Sequence, residues 1–465
     1  MNMDQDRELS PTHIFSEYPS LEKDLESAVN KCKAWKGVVR IVSHYDADGL
    51  SAGAILFETL SRSNIPTVLH IVRGMDEKVI EYIRSHDDNL IIADLGSSDL
   101  DKLHEIGKEI IILDHHQINS VLQDNSNVMF LNFNNYGING TTEGCASTMA
   151  YLFSIVFSEK NYKLLAGAVV GICGDRQHMN PEGINKKIIE FGVSNNIIKY
   201  VNDSVFSGSN IYDGIFYMLD PYVKSLTGKA ERVEEMLNSL DIKFDEKYTD
   251  MSHMKKKYLR SLIVLEMLRS GLSTEHIMNF QRDIIMISGV EEFAEELADL
   301  VDFTGRHGEY GLATETLIHL FDGKRNPAVR LEAYRKDFQK MILEELNDMM
   351  IKEYEYIYVV ENKIVSISGI LASETVNYIV EKDKPVISMA LSGDVFNVSA
   401  RATSEQVKRG VNLAATMSSA SADVKGSGGG HPIAAGATVP ANMKDKFIEK
   451  VNYIIGEQIS GSWSG

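Results

Sequence analysis

Residues 110–113 form an unbroken apolar run, Ile-Ile-Ile-Leu, that leads directly into Asp114, His115 and His116. Such a run is typical of a parallel strand that is buried on both faces. Ligand sites of open α/β sheets lie just beyond the carboxyl ends of these strands. The stretch therefore predicts a carboxylate and two imidazoles at the edge of a buried sheet. This stretch indicates a functional site only if other segments bring further carboxylates or imidazoles to the same edge of the sheet.

Strand and helix patterns alternate through the N-terminal part of the chain. The predicted strands cover 37–43, 68–72, 90–94, 110–113 and 129–131, and the predicted helices cover 20–35, 51–61, 77–85, 100–106, 143–157 and 164–173. This alternation is typical of an α/β fold with a doubly wound parallel sheet. We therefore expect the polar residues that follow the strands to lie at one edge.

The 465 residues lead us to expect two or three domains, at about 100–200 residues per domain. We place the doubly wound α/β domain at 1–205. Strand signals give way to amphipathic helices over 206–350, which predicts a helical insertion. A smaller α/β domain follows at 351–465, with predicted strands at 357–360, 365–367, 386–390 and 396–400 and predicted helices at 371–381 and 443–459.

Composition limits the class of protein. The three cysteines have no CxxC spacing, which fits a reducing cytosol and excludes a disulfide framework and a zinc ribbon. No apolar run reaches the ~18 residues of a membrane span, and the polar N-terminus does not resemble a signal peptide. We therefore expect a cytoplasmic protein. The net charge of -19 means that a polyanion would have to meet a local basic groove or bound cations.

Further acidic and imidazole groups follow other predicted elements. His44, Asp46 and Asp48 come after the first strand, Asp94 after the third, and Asp175 at a helix–loop junction. Singly, such residues can be helix caps or turn residues before a glycine. Together they favour metal binding, because carboxylates gathered in a dry cleft cannot all stay ionised without cations. Mixed Asp and His ligation favours Mn²⁺, with Mg²⁺ or another divalent ion as alternatives.

Two such ions, about 3.5–4 Å apart and sharing a carboxylate, would suit the hydrolysis of a phosphate ester.

A second candidate site lies near the C-terminus, where Gly428, Gly429 and Gly430 precede His431. Consecutive glycines let backbone N–H groups approach an anion, although a glycine run is also typical of a flexible loop. His431, and Arg401 after a predicted strand, favour binding of a phosphate or a nucleotide end.

Two basic clusters could line a nucleic-acid groove or could simply be solvated helix faces. They are Lys255-Lys256-Lys257 with Arg260, and Arg330 with Arg335 and Lys336.

These motifs resemble the four motifs of the DHH phosphoesterase superfamily. The matching residues are His44-Tyr45-Asp46-Ala47-Asp48-Gly49, Ala93-Asp94, Asp114-His115-His116 and Gly174-Asp175. The glycine stretch, with Ser399 and Arg401 upstream, resembles the associated substrate-binding domain of the RecJ type. The helical insertion is similar to that of archaeal RecJ-like proteins, which include the GINS-associated nuclease.

The resemblance implies a role for each motif residue. One metal would be held by His44, Asp46 and Asp94, and the other by Asp48, Asp94, His115 and Asp175, with Asp94 bridging. Asp114 would orient a ligand imidazole, and His116 would face the scissile phosphate. Ser399, Arg401, Gly428, Gly429, Gly430 and His431 would bind the substrate. Tyr45 differs from the residue in many relatives, but every ligand position is kept.

The expected function is a two-metal exonuclease that acts on the terminal phosphodiesters of single-stranded DNA or RNA, with a strand threaded between the two α/β domains. GINS and the replicative helicase are the implied partners, and replication and repair the implied context. Two alternatives stay open: a replication scaffold with a minor nuclease role, and a phosphatase for short oligonucleotides or nucleotides.

Overall fold

The structure, a computed structural model, describes residues 11–118, 127–206, 208–290, 292–323 and 328–461. The strands in chain order are β1 (Val39–His44), β2 (Thr67–Val72), β3 (Asn89–Ala93), β4 (Ile110–Asp114), β5 (Val128–Asn132), β6 (Ile198–Asp203), β7 (Arg282–Ile287), β8 (Glu292–Phe293), β9 (Met350–Glu353), β10 (Tyr358–Asn362), β11 (Val386–Ser392), β12 (Val395–Arg401), β13 (Ser427–Gly430) and β14 (Ala434–Pro440).

The helices are α1 (Pro19–Ala34), α2 (Ala47–Arg62), α3 (Glu77–Ser85), α4 (Leu100–Glu105), α5 (Ala146–Phe157), α6 (Leu165–Gly174), α7 (Gly183–Ser194), α8 (Ile211–Phe216), α9 (Ala230–Ser239), α10 (His253–Arg269), α11 (Thr274–Phe280), α12 (Ala294–Arg306), α13 (Tyr310–Phe321), α14 (Ala328–Asp348), α15 (Ser368–Glu374), α16 (Ser404–Lys408), α17 (Leu413–Ala422) and α18 (Lys444–Ser460). The chain divides into two units, 1–205 with 282–335 and 206–281 with 336–465.

The first unit is built on a parallel sheet with the strand order β2-β1-β3-β4-β5. Strands β3 and β4 are buried on both faces. Ile91 and Ile111 join the core that contains α2, α5 and α6, whereas Ile92 and Ile112 join the core that contains α3 and α4. Helices therefore cover both faces of the sheet. The predicted fold class, α/β with a doubly wound parallel sheet, is confirmed.

The segment 282–335 belongs to this same unit. Strand β7 pairs antiparallel with β6, and the short β8 adds a third strand. Val301, Leu317 and Phe321 of α12 and α13 are buried in the main core of the unit. None of these strands is predicted by the sequence patterns. The three predicted domain ranges stay a prediction. Within the range 206–350, residues 282–335 pack with the first unit.

The second unit contains a six-stranded sheet with the order β13-β14-β12-β11-β10-β9. Its strands pair antiparallel except for β10 and β11, which are parallel. A separate core joins helices α8 to α11, with Leu259, Ile263 and Met267 among its buried residues. Among the described residues, no helix combines the length and the apolar character needed to cross a bilayer.

One predicted element of the second unit is wrong, and one alternative left open for the glycine stretch is decided. Residues Val365–Ile367 form a 3₁₀ turn that leads into α15, not a strand. Ile367 is fully buried but Val365 is 37% exposed, so this short run is buried on one side only. The glycine stretch is not a loop, because Ser427–Gly430 form the edge strand β13.

Candidate metal centre

The predicted metal ligands of the first unit lie at the carboxyl edge of neighbouring strands. His44 ends β1, Asp94 directly follows β3, and His115 directly follows β4. Strand β3 lies between β1 and β4 and is parallel to both, which brings the three strand ends together. Asp46 caps α2, because its Oδ1 accepts a hydrogen bond of 3.0 Å from the backbone N–H of Gly49.

One group of potential ligands consists of His44, Asp46 and Asp94. The Nδ1 atom of His44 lies 2.8 Å from Oδ2 of Asp46 and 3.4 Å from Oδ2 of Asp94. These atoms are close enough to share one cation. Their assignment as ligands of one metal stays a prediction.

A second group consists of Asp48, His115 and Asp175. The Nε2 atom of His115 lies 3.8 Å from Oδ2 of Asp48 and 3.5 Å from Oδ2 of Asp175. The same nitrogen lies 3.2 Å from Oδ1 of Asp94. Asp94 therefore directs one oxygen towards each group. This arrangement has the geometry that a bridging carboxylate requires, and the bridging role itself stays a prediction.

Asp48 is held by the N-terminus of α5. Its Oδ2 accepts a hydrogen bond of 2.7 Å from the N–H of Ala146, and its Oδ1 accepts one of 2.9 Å from the N–H of Ser147. Helix N-termini favour negative charge. Helix α6 passes so close that a Cβ at Gly171 would lie 2.6 Å from Oδ1 of Asp48. The carboxylate is therefore fixed in position by two helices.

Asp114 is fully buried, and with Asp94, His115 and His116 it forms a further group whose ligand atoms lie close enough to hold a metal ion. Its Oδ2 accepts hydrogen bonds from the N–H and hydroxyl of Ser97, at 3.0 and 2.6 Å. Its Oδ1 lies 2.8 Å from Nδ1 of His116. The imidazole that Asp114 orients is thus that of His116. The ring of His115 is oriented instead by the carbonyl of Gly140, at 2.6 Å from Nδ1.

The electrostatics of the centre suit divalent cations. Burial lowers the pKa of His44, but Asp46 and Asp94 raise it more, so that it lies well above the value of a free histidine. Burial and the carboxylate of Asp48 hold the pKa of Asp175 well above its ordinary range. These side chains therefore take up protons more readily than free side chains do. Carboxylate oxygens and imidazole nitrogens are ligands that can replace those protons with Mn²⁺ or a similar ion.

The sequence analysis missed a group of cationic and aromatic side chains beside the centre. Tyr45 lies close to two guanidinium groups, with its ring centroid 5.2 Å from Arg73 and 5.8 Å from Arg306. Arg73 donates a hydrogen bond of 2.7 Å to the backbone carbonyl of Arg306. The Nε atom of Arg306 in turn donates to Oδ2 of Asp302 at 2.5 Å. The sequence contains a signal that could have identified Arg73. This residue directly follows β2, at the same edge of the sheet as the potential ligands.

The predicted substrate-binding residues all lie in the second unit. Ser399 of β12 pairs with Gly436, which in turn pairs with Gly429 of β13, so the three lie in one row across the sheet. Arg401 ends β12, and a Cβ at Gly369 would lie 2.9 Å from its guanidinium. Gly428, Gly430 and His431 lie on or directly after β13. The sheet thus brings this set together, and its role in binding stays a prediction.

The basic clusters have different surroundings. Lys255, Lys256, Lys257 and Arg260 lie on α10. Arg335 is buried and pairs with Glu296 at 3.0 Å, and Lys336 pairs with Asp213 at 3.0 Å. The side chain of Arg330 lies outside the described residues. The second cluster is therefore engaged in ion pairs at Arg335 and Lys336.

Two domain families match the chain. The DHH family N-terminal domain matches residues 38–172, and the DHHA1 domain matches residues 354–457. An uncharacterized protein of Methanocaldococcus jannaschii is 30% identical over 449 residues, which cover 94% of this chain and 98% of the relative.

Solved structures share the fold at low sequence identity. CDC45 from Entamoeba histolytica has a TM-score of 0.62 at 13% identity, over 96% of this chain and 99% of that chain. RecJ from Thermus thermophilus in complex with Mn²⁺ has a TM-score of 0.55 at 14% identity, over 94% of this chain and 55% of that chain. The two domain matches confirm the predicted superfamily: this chain belongs to the DHH superfamily, and it shares its fold with RecJ and CDC45.

Proposed function

We propose that the protein is a metal-dependent exonuclease that hydrolyses terminal phosphodiesters of single-stranded DNA or RNA. The observation that carries this proposal is the position of Asp94, whose two oxygens face two separate groups of potential ligands. His44 and Asp46 would complete one site, and Asp48, His115 and Asp175 the other. The Mn²⁺ bound by the RecJ of Thermus thermophilus supports Mn²⁺ as an ion that this centre would take.

When bound, two such cations activate water and neutralise the charge of the phosphate. The residues of the chain position the reacting groups. Because Nδ1 of His116 is directed at the Asp114 carboxylate, Nε2 is the ring nitrogen that would face a substrate phosphate. The imidazole is 36% exposed, so it is accessible to substrate. Arg73 and Arg306 add positive charge beside the ligands.

The overall charge of -19 fits this arrangement. An acidic chain repels a polyanion unless local cations reverse the field, which the metals and the two arginines would do. In the second unit, we propose that Ser399, Arg401, Gly428, Gly429, Gly430 and His431 hold a phosphate or nucleotide end. Backbone N–H groups of glycines can approach an anion without steric hindrance.

The test is digestion of single-stranded DNA and RNA, each labelled at either end, with Mn²⁺ and Mg²⁺ compared. We expect stepwise release of nucleotides from one end in Mn²⁺ and none after chelation. Duplex DNA of the same sequence is the control for strand selectivity. Undiminished cleavage in excess chelator, or cleavage only at internal bonds, would contradict the proposal.

A second candidate function, binding of GINS as a replication scaffold, is favoured by one surface of α10. Met254, Tyr258, Leu265 and Leu268 are 58%, 54%, 47% and 56% exposed. Their spacing places them along one stripe of the helix. The opposite side of α10, including Leu259 and Ile263, is buried in the helical core.

A helix that is apolar on both sides is usually buried, so the exposed stripe indicates a binding surface. The resemblance to the GINS-associated nuclease makes GINS the partner to test. Size-exclusion chromatography of the two proteins at micromolar concentration should give a complex. Separate elution would count against the scaffold function without affecting the nuclease proposal.

A further inference from the structure

Two buried amide side chains, Gln177 and Asn185, lie behind the proposed metal centre. Gln177 is 6% exposed and Asn185 is fully buried. Gln177 belongs to the loop that carries Asp175, and Asn185 belongs to α7. Neither residue is part of the family motifs quoted above. Buried amides are costly unless their polar groups find partners, so the hydrogen bonds of these two side chains indicate what they hold in place.

These side chains form a continuous series of hydrogen bonds. The hydroxyl of Thr148 in α5 donates to Oδ1 of Asn185 at 2.6 Å. The amide of Asn185 donates to Oε1 of Gln177 at 2.6 Å. The amide of Gln177 donates to the carbonyl of Gly140 at 3.1 Å. We name Thr148, Asn185 and Gln177 the amide relay.

The relay ends on the same carbonyl that orients His115. The oxygen of Gly140 accepts from Nδ1 of His115 at 2.6 Å and from Gln177. A carbonyl oxygen has two lone pairs, and both are used here. The loop cannot easily move away, because it packs so tightly that a Cβ at Gly140 would lie 1.9 Å from the carbonyl oxygen of His115.

This geometry constrains both the tautomer and the orientation of His115. A carbonyl can only accept, so Nδ1 of His115 must carry the hydrogen, which leaves Nε2 as the atom directed at Asp48, Asp94 and Asp175. Gln177 follows Asp175 by two residues, and its backbone N–H donates to the carbonyl of Ile172 in α6 at 2.9 Å, which anchors the start of the Asp175 loop. One side chain is thus linked to two potential ligands of the same site.

We propose that the amide relay consists of positioning residues that set the metal affinity of the site formed by Asp48, His115 and Asp175. This inference rests on the proposed metal-dependent function. Partners of metal-binding histidines typically change metal affinity by about 10–100-fold when they are removed. We expect an effect near the lower end for Gln177, because it acts through the Gly140 carbonyl.

The test is calorimetric titration of the full-length protein with Mn²⁺ alone, without nucleic acid. Gln177→Leu should lower the affinity of one site about tenfold. Thr148→Val removes only the hydroxyl that donates to Asn185 and should lower Mn²⁺ affinity by a smaller factor. Thr148→Ser keeps a hydroxyl and should retain normal Mn²⁺ affinity. Thermal unfolding in chelator measures the stability of each variant independently of metal.

Asn161→Leu is the matched control. Asn161 is 2% exposed and donates to the carbonyl of Ser154 at 3.0 Å, but that bond is not connected to His115. The control should lose stability while retaining Mn²⁺ affinity. If Gln177→Leu does not fold, the comparison of Thr148→Val with Thr148→Ser decides.

Unchanged Mn²⁺ affinity in the folded relay variants, or an equal loss in Asn161→Leu, would overturn the relay alone. An unsubstituted protein that binds no Mn²⁺ would overturn the relay together with the proposed metal-dependent function. The two failures are therefore distinguishable by the titration of the unsubstituted protein.

Discussion

The Oδ1 atom of Asp94 lies 3.2 Å from Nε2 of His115, although the two residues are 21 positions apart in the sequence. Asp94 adopts a left-handed backbone conformation with φ of +61°. Aspartate and asparagine tolerate this conformation better than other side chains with a Cβ. The turn after β3 is therefore shaped so that the carboxylate faces two groups at once.

We first predict that Asp94→Asn abolishes cleavage while the protein stays folded. Asparagine preserves the size of the side chain and tolerates the left-handed backbone, so the turn is kept while the charge is lost. We expect the rate in Mn²⁺ to fall by at least about 100-fold, beyond the loss seen for partners of metal ligands. The measurement is cleavage of end-labelled single-stranded DNA, with the melting temperature as a check of folding.

The control for this substitution is Asp99→Asn, which changes a carboxylate at the surface that pairs with Lys102 at 2.8 Å. It should retain full activity. A folded Asp94→Asn protein with undiminished cleavage would remove the basis for a shared carboxylate.

The second prediction concerns pH. Burial lowers the pKa of His115, but the surrounding carboxylates, Asp94 and Asp175 among them, raise it well above the ordinary value. Protons therefore compete with a cation for His44 and His115. Mn²⁺ affinity should fall as the pH is lowered from about 8 to about 6.

Calorimetric titrations in two buffers of different ionisation enthalpy would check this sign, because proton release changes the observed heat in proportion to that enthalpy. Equal heats in both buffers, together with a constant affinity across the pH range, would contradict proton displacement.

The third prediction separates catalysis from metal binding. Arg306 stacks beside Tyr45 and contributes positive charge near Asp46. Arg306→Gln should slow cleavage by about 100-fold, as expected when one group that stabilises developing charge is removed. Mn²⁺ affinity should stay the same or rise, since a cation has been removed from beside a ligand. Arg84→Gln, on the exposed side of α3, provides the control. A loss confined to Mn²⁺ affinity would assign Arg306 to the metal site instead.

The fourth prediction concerns the exposed stripe of α10. The double variant Leu265→Asp with Leu268→Asp should weaken GINS binding at least about tenfold, because residues central to an interface carry most of its energy. Both side chains are about half exposed, so the melting temperature should change little. Asn238→Asp on α9 adds a charge elsewhere on the same helical segment and should leave binding unchanged. If the double variant binds GINS as well as Asn238→Asp and the unsubstituted protein do, the interface lies elsewhere.

The fold of the first unit can be predicted largely from local patterns. Residues 77–85 have a helical pattern and form α3 over the same range. The run 110–113 is predicted as a buried strand, and each of its residues is fully buried. These elements are readable because buried parallel strands and amphipathic helices have distinct periodicities. Since His44 ends such a strand, and Asp94 and His115 directly follow one, these three members of the candidate centre can be chosen from the sequence alone.

Features that depend on distant segments cannot be predicted in this way. Strand β6 pairs with β7, whose residues follow it only after an intervening helical segment, and neither strand has a strong local pattern. Arg306 reaches Tyr45 only through the packing of α12, where a Cβ at Gly305 would lie 2.1 Å from the carbonyl oxygen of Tyr45. The carbonyl that orients His115 belongs to Gly140, which has no side chain, so no sequence pattern points to it.

The return of residues 282–335 to the first unit has a consequence for the order of events during synthesis. The six predicted metal ligands all precede residue 176, whereas Arg306 and the helices α12 and α13 emerge from the ribosome much later. A nascent chain that has reached residue 205 carries these ligands but lacks part of the core that surrounds them. Domains generally fold as units during synthesis. We therefore expect the first unit to complete its folding only after 282–335 has been made, and 206–281 of the second unit is made before it. We therefore expect the proposed cation sites to form only after synthesis has passed residue 335.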